Sequence, residues 1–214
     1  MANITVYDQN VLVKLETPYT MIVSGQTGSG KADFVKRLIK TNTNLHSTSF
    51  KRIIYAYTMF QESLEELNVE LVEGFPDNVV WSGEPTLLVL DDMMLELRND
   101  VRLAALFTKM RHKNVSTIFI TQNMYFQSQY ATTITRNAQY LALFPNPRDN
   151  AMIETLGRQT FPLNKKFLST AFAMATDQPF GYLFLDFKPS TPKDLRVRQN
   201  IFPSEQCYVY LPKS

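Results

Sequence analysis

"SGQTGSGKAD", Ser24 to Asp33, is the stretch on which the reading of the whole chain turns. Gly25, Gly30 and Lys31 follow the pattern G-x-x-x-x-G-K, with Gly28 inside it. In that pattern backbone N–H groups cradle phosphate oxygens and the lysine reaches the terminal ones. The position after the lysine is normally Ser or Thr, whose hydroxyl holds Mg²⁺, and here it is Ala32. The candidate phosphate contacts are therefore Gly25, Gln26, Thr27, Gly28, Ser29, Gly30, Lys31 and Ala32. Neither Ser29, inside the loop, nor Asp33, two past the lysine, directly replaces the missing hydroxyl. Asp33 is equally a first-turn acid favourable to the helix dipole.

A short glycine pattern arises by chance, so its surroundings decide its meaning. The apolar run "YTMIVSG" (Tyr19 to Gly25) precedes it, and Val35, Leu38 and Ile39 recur behind it at helical spacing. A strand running into the loop and a helix leaving it put the positive helix end on a bound anion. Further strands are predicted at "RIIYAYT" (52–58), "TLLVLDD" (86–92), "STIFITQ" (116–122) and "YLALFP" (140–145). Several are apolar throughout, as parallel strands covered on both faces are. Leu103, Leu106, Phe107 and Met110 form a second helical core stripe. "FGYLFLDF" and "LRVRQNIF", on either side of the Pro-containing loop Lys188 to Asp194, are predicted to form an antiparallel hairpin at an edge. The expected fold is a mostly parallel α/β sheet flanked by helices, with a C-terminal hairpin.

The second half of the constellation is "LLVLDD". Ligands of open α/β sheets sit at the C-terminal strand ends, where Asp91 and Asp92 fall. Asp91 is the candidate Mg²⁺ ligand and Asp92 the candidate group orienting an attacking water. Gln122, ending the next strand, is placed to sense a terminal phosphate, or else to cap the following helix. Phosphoryl transfer also needs positive charge on its transition state, often an arginine from a neighbouring subunit. Arg136 and Arg148 are the candidates, with Arg111 weaker.

The 214 residues suit one buried α/β domain, read as an extension over 1–17 and a single domain over 18–214. Twenty-two Lys and Arg against 20 Asp and Glu leave a net charge of +2, so a nucleic-acid contact must come from local clusters such as "KADFVKRLIK", "TKMRHK" and "LNKK". The lone Cys207 forbids an internal disulfide, and with His46 and His112 it gives no zinc spacing. The start "MANITVYDQNVLVKLE" has no leader pattern, and no apolar run approaches the roughly 18 residues needed to span a bilayer. A soluble, intracellular protein is expected. A nucleotide or small-molecule kinase would need an arginine-bearing lid over the phosphates, and no segment supplies one.

From Pro18 nearly to its end the chain resembles the FtsK/HerA-type ATPases, most closely the genome-packaging ATPases of Polinton, adintovirus and virophage-like elements with double jelly-roll capsids. The matching stretches, agreeing in order and spacing, are "PYTMIVSGQTGSGK", "RIIYAYTMFQ", "VELVEGFP", "LLVLDDMM", "LFTKMRHKNVSTIFITQNMYF", "RNAQYLALFPNPRDNAMI", "GYLFLDF" and "LRVRQNIFP". The chain departs from the pattern at Ala32, and at position 132, where Thr132 stands while Arg136 lies beside Asn137. The resemblance implies a P-loop NTPase of the ASCE, RecA-like class using ATP and Mg²⁺. It implies a homo-oligomeric ring, hexameric or pentameric, that pulls double-stranded DNA into a preformed capsid and meets capsid or portal-vertex proteins. The expected setting is the host nucleus or a cytoplasmic viral factory, or the virion itself. Ala32 supports a second reading, the same fold holding nucleotide without rapid turnover.

Overall fold

The five apolar runs become five neighbouring strands. The computed structural model describes residues 2–6, 13–77, 79–97, 99–124, 128–147 and 150–212. Along the chain these form β1 (Ala2–Val6), β2 (Thr20–Ser24), α1 (Lys31–Lys40), α2 (Asn42–Leu45), β3 (Arg52–Tyr57), β4 (Glu70–Glu73), β5 (Thr86–Asp91) and α3 (Val101–Thr108). The second half forms β6 (Val115–Thr121), α4 (Ala131–Asn137), β7 (Tyr140–Leu143), α5 (Asn150–Thr160), α6 (Phe167–Ala175), β8 (Leu183–Asp186), β9 (Val197–Gln199) and β10 (Tyr208–Pro212). All the described strands join one sheet in the order β1-β10-β9-β8-β7-β2-β6-β5-β3-β4. From β7 to β4 every pairing is parallel. From β7 to β1 every pairing is antiparallel.

Period-two alternation divides the core between the two faces of this sheet. Met21 and Val23 of β2, with Leu87 and Val89 of β5, pack under Phe34, Val35 and Leu38 of α1. Ile22, Leu88 and Leu90 point the other way, toward Leu103 and Phe107 of α3, Ile134 of α4 and Leu168 of α6. Every residue of β2 is buried, because it lies between two strands and beneath helices on both faces. Burying each such aliphatic side chain contributes about 1.5–3 kcal/mol.

The hairpin is present and larger than expected. β8 pairs with β9 through Phe184–Arg198 and Leu185–Val197, and on its other side with β7. It is not the edge of the sheet, because β10 adds to β9 and β1 to β10. Residues 2–6, inside the stretch set apart as an extension, thus pair with the C-terminal strand in the same sheet. Arg198 is buried on β9 and donates to the Asp186 carboxylate of β8 at 2.9 Å. Removing either partner would leave the other buried charge without its ion-pair partner, at a cost of about 3–5 kcal/mol. Among the described residues, no helix is long and apolar enough to cross a membrane.

His46 gives this core a pH dependence. It is 1 % exposed, its Nδ1 lies 3.2 Å from the Asn42 carbonyl, and its Nε2 lies 3.1 Å from the Tyr19 hydroxyl. A neutral ring satisfies both contacts, donating from Nδ1 and accepting at Nε2. Burial lowers its pKa from the ordinary 6.5 to about 4. The unfolded chain therefore takes up the proton first: this stability is intact above pH 6.5 and is lost as the pH falls through about 4. The difference amounts to about 3 kcal/mol. Urea unfolding between pH 7 and 4 is expected to show a markedly steeper acid loss for the parent than for His46→Gln. Parallel curves would place the acid sensitivity elsewhere.

Candidate functional site

The site begins where β2 ends. Between β7 and β6 the chain leaves the sheet at Gly25, whose N–H donates to the Thr121 carbonyl at 3.3 Å. A Cβ on Gly25 would stand 2.5 Å from Cβ of Phe144, so glycine is required for closeness here. Gly28 and Gly30 have φ of 78° and 99°, the left-handed region that other residues enter reluctantly. Gly30 is also the N-cap of α1, and its carbonyl accepts from the Phe34 N–H at 3.0 Å. The turn that Gly30 makes aims the first N–H groups of α1 into the loop, where they and the helix dipole favour an anion. Lys31 folds back, its Nζ donating to the carbonyls of Gly25 and Gln26 at 2.7 and 2.8 Å. An anion entering the loop would compete with those two carbonyls for the ammonium. Burial pulls the Lys31 pKa down, against the opposing pull of Asp92 and Asp91.

Opposite the loop stand the acids. β6 lies between β2 and β5, so the ends of β5 and β6 face the loop across a cleft of about 360 Å³. Thr27, Gly28, Gly30, Lys31 and Ala32 line one wall, and Asp91, Asp92 and Gln122 the other. The two carboxylates differ in environment. Asp91 is half-buried, and its Oδ2 accepts from the Tyr55 hydroxyl at 2.7 Å. Burial raises its pKa, while the Tyr55 hydrogen bond lowers it. Asp92 is exposed at φ 53°, and Gln122 Nε2 approaches its two oxygens at 3.4 and 3.5 Å, contacts at the long limit of hydrogen bonding.

Most of the residues picked from the sequence therefore meet. Within the loop, Gly25 and Ser29 lie buried beneath the cleft and Gln26 is exposed. The Ser29 hydroxyl has no hydrogen-bond partner among the described residues. Asp33 lines the cleft from the first turn of α1, 3.8 Å from Lys36. Arg136 stands apart. It is exposed in the last turn of α4, ahead of β7, where the Asn137 carbonyl accepts from the Thr20 hydroxyl at 2.5 Å. Thr20 begins β2 and the loop follows its end, so Arg136 and the cleft sit at opposite ends of the strand, on the order of 15 Å apart. Arg111, in a 3-10 turn ahead of β6, shares that far edge. Arg148 lies outside the described residues.

The basic groups read as DNA contacts fare unevenly. In α1, Lys36 pairs with Asp33, Arg37 with Glu205 at 2.6 Å and Lys40 with Glu66 at 3.6 Å, so local acids offset their charge. Lys165 and Lys166 are exposed. Sequence reasoning missed Tyr55, buried behind the cleft and bonded to Asp91, and Phe180, which lines it. Tyr55 sits in an apolar strand and carries no mark distinguishing it from core, and Phe180 opens a run, "FGYLFLDF", that reads as a strand.

The donor set suits a hard divalent cation that keeps most of its water. Asp91 has Oδ1 free of the Tyr55 bond, and Ala32 contributes no oxygen. No cluster of three or more His, Cys, Asp or Glu able to hold a metal exists among the described residues. A cation here would bind through Asp91, water and the nucleotide's own phosphates.

No protein-family model matches the sequence, and neither does any curated protein. Solved structures do match. The genome-packaging NTPase B204 of Sulfolobus turreted icosahedral virus 2, solved with sulfate, superposes with a TM-score of 0.56 at 14 % identity, covering 85 % of this chain and 95 % of that one. The same protein with ATP-gammaS gives 0.53 over 85 % and 96 %, again at 14 % identity. B204 described as the DNA-packaging ATPase of Sulfolobus turreted icosahedral virus gives 0.54 at 12 % identity, over 92 % and 98 %. The chain has the fold of these viral genome-packaging NTPases, a P-loop α/β fold with a mostly parallel sheet and a C-terminal antiparallel hairpin.

The Tyr55 bond is testable alone. Tyr55→Phe keeps the buried ring and removes one donor from Asp91. It is expected to cost about 1.5–3 kcal/mol in denaturant unfolding. It should also move the Asp91 carboxyl titration, followed by carbon-detected NMR, to higher pH. An unchanged titration would show that the hydroxyl does not govern this carboxylate.

Proposed function

We propose that this chain is an ATP-driven motor that translocates double-stranded DNA into a preformed viral capsid. The observation that carries the reading is the meeting of Lys31 with Asp91, Asp92 and Gln122 across one cleft on a packaging-NTPase fold. In that reading the loop N–H groups and Lys31 bind the triphosphate and neutralise its developing charge. Asp91 would hold a Mg²⁺ ion brought with the nucleotide, and that ion would supply Lewis-acid stabilisation of the phosphoryl group. Asp92, exposed and free to meet water, orients the nucleophile and takes its proton. Gln122 touches Asp92 and reports the state of the terminal phosphate through it.

Arg136 can contribute only to the cleft of another subunit, which suits a homo-oligomeric ring. DNA, and capsid or portal-vertex proteins, are the proposed partners. Exposed groups such as Lys165 and Lys166 are better placed to meet DNA phosphates than the acid-paired cations of α1. The proposed setting is the infected cell or the assembling virion.

Ala32 favours a second reading, nucleotide binding without fast hydrolysis. The loop, lysine and both acids are intact, and only one metal-facing oxygen is replaced, which one more water can supply. Slow Mg²⁺-dependent hydrolysis is therefore expected. Steady-state ATPase with and without double-stranded DNA separates the readings. Lys31→Ala should abolish binding, and Asp92→Asn should bind ATP yet lower turnover by about 10²-fold or more. Ala32→Thr should raise turnover about tenfold, equivalent to ~1.4 kcal/mol of barrier. A parent that binds ATP but is silent until Ala32→Thr restores DNA-stimulated turnover would establish the second reading.

A further inference from the structure

We propose that Phe180 is the platform on which the nucleobase of the bound nucleotide stacks. The inference rests on the nucleotide reading of the loop and assigns the half of the ligand that phosphate contacts leave open.

Phe180 is an anomaly twice over. It is a bulky aromatic residue at φ 62°, a region such side chains rarely enter, and it is 65 % exposed. Its neighbours enforce the conformation. The Gly181 N–H donates to the Gln178 carbonyl at 2.9 Å, and a Cβ on Gly181 would come within 3.2 Å of Thr176 Cα. Tyr182 is 5 % exposed and packs on Phe34 at 4.8 Å between ring centroids, with its hydroxyl accepting from the Ile201 N–H at 3.0 Å. The short turn from α6 to β8 is therefore held at both ends, and the strained residue between them presents its ring to solvent. Strain kept in place by its surroundings concentrates at ligand sites.

The position of the ring gives it a ligand. A Cβ on Gly30, the N-cap of α1, would lie 3.1 Å from Phe180 Cδ1, so the ring abuts the phosphate loop itself. Phe180 also lines the same cleft as Lys31 and Asp92. The strand order β8-β7-β2-β6-β5 puts Asp91, Asp92 and Gln122 on one flank of the loop and Phe180, ahead of β8, on the other. A triphosphate whose terminal group faces the acids extends its nucleoside toward the opposite flank. There it meets an exposed aromatic ring beside the loop. An aromatic face stacks on any base, because every base has a π face. The platform thus adds affinity for the nucleoside without reading base edges, and ATP and GTP should bind comparably.

Equilibrium binding of ATP, GTP and inorganic tripolyphosphate tests this on the parent, Phe180→Ala, Phe180→Asn, Phe180→Trp and Lys31→Ala. Asparagine tolerates the left-handed backbone, so Phe180→Asn removes the ring without adding strain. Phe180→Ala and Phe180→Asn are expected to weaken ATP and GTP about tenfold while tripolyphosphate binds as before. Phe180→Trp should retain nucleotide affinity. Its new indole, alongside the single native Trp81, should be quenched by ATP and not by tripolyphosphate.

ATP affinity unchanged in both ring-less variants overturns the platform. So does equal weakening of tripolyphosphate, which would mean a distorted loop, or a shift in sedimentation with nucleotide binding intact, which would mean a protein contact. If tripolyphosphate binds the parent and Lys31→Ala alike, the nucleotide reading itself falls and takes the platform with it.

Discussion

The site depends on one close approach. At Gly25 the chain must leave a strand packed between β6 and β7 while a neighbouring side chain, Phe144, occupies the space where any Cβ would be. That contact presses the loop down between the strand ends. Its backbone N–H groups and the N-terminus of α1 then face the same volume as Lys31. Gly28 and Gly30 complete the reversal with positive φ values that only glycine adopts at little cost. The walls of this exit are themselves fully packed, so a shift of the loop would have to be taken up by β7 and by the aromatic cluster of Phe34, Phe144 and Tyr182. Close-packed interiors do not yield in that way.

Strand order turns this loop into a site. Because β6 is inserted between β2 and β5, the acids stand one strand away from the phosphate loop, and the gap is spanned by Gln122. Two adjacent carboxylates then meet different dielectric surroundings. Asp91 is half-buried and tied to Tyr55, which suits a fixed ligand, whereas Asp92, at a left-handed turn and open to solvent, can meet a water. Identical side chains meet different surroundings from position alone. On the other flank the antiparallel strands do more than finish the sheet. The buried Arg198–Asp186 pair locks β8 to β9, and the turn that leads into β8 carries Phe180 to the loop.

The positions of the glycine-rich loop, its strand and helix, the acidic strand end and Gln122 were legible in the sequence, because each lies in a local pattern of apolar runs, glycines and charges. Apolar runs mark buried parallel strands, and glycine followed by lysine marks a phosphate turn. The same reasoning passed over β1, β4 and β10. They are short strands with mixed polar faces, and what makes them strands is a partner distant in sequence: Val6 opposite Tyr208, or Ile54 opposite Glu70. Tyr55 and Phe180 were missed for a related reason. An aromatic residue in an apolar run looks like core until the fold shows that one hydroxyl reaches Asp91 and one ring stays in solvent.

The sequence by itself determined that the chain is an α/β protein built around a glycine-rich loop ending in Lys31, with two acids on a nearby strand, and that the hydroxyl normally following such a lysine is replaced by Ala32. Periodicity and glycine placement are local properties, and they survive without knowledge of the fold. Only the tertiary structure decided which side chains share the cleft. It separated Asp91 from Asp92 by burial, sent Arg136 to the far edge of the sheet and brought Phe180 against Gly30. Those outcomes depend on strand order and on long-range packing, which set dielectric and distance and which no window of neighbouring residues records.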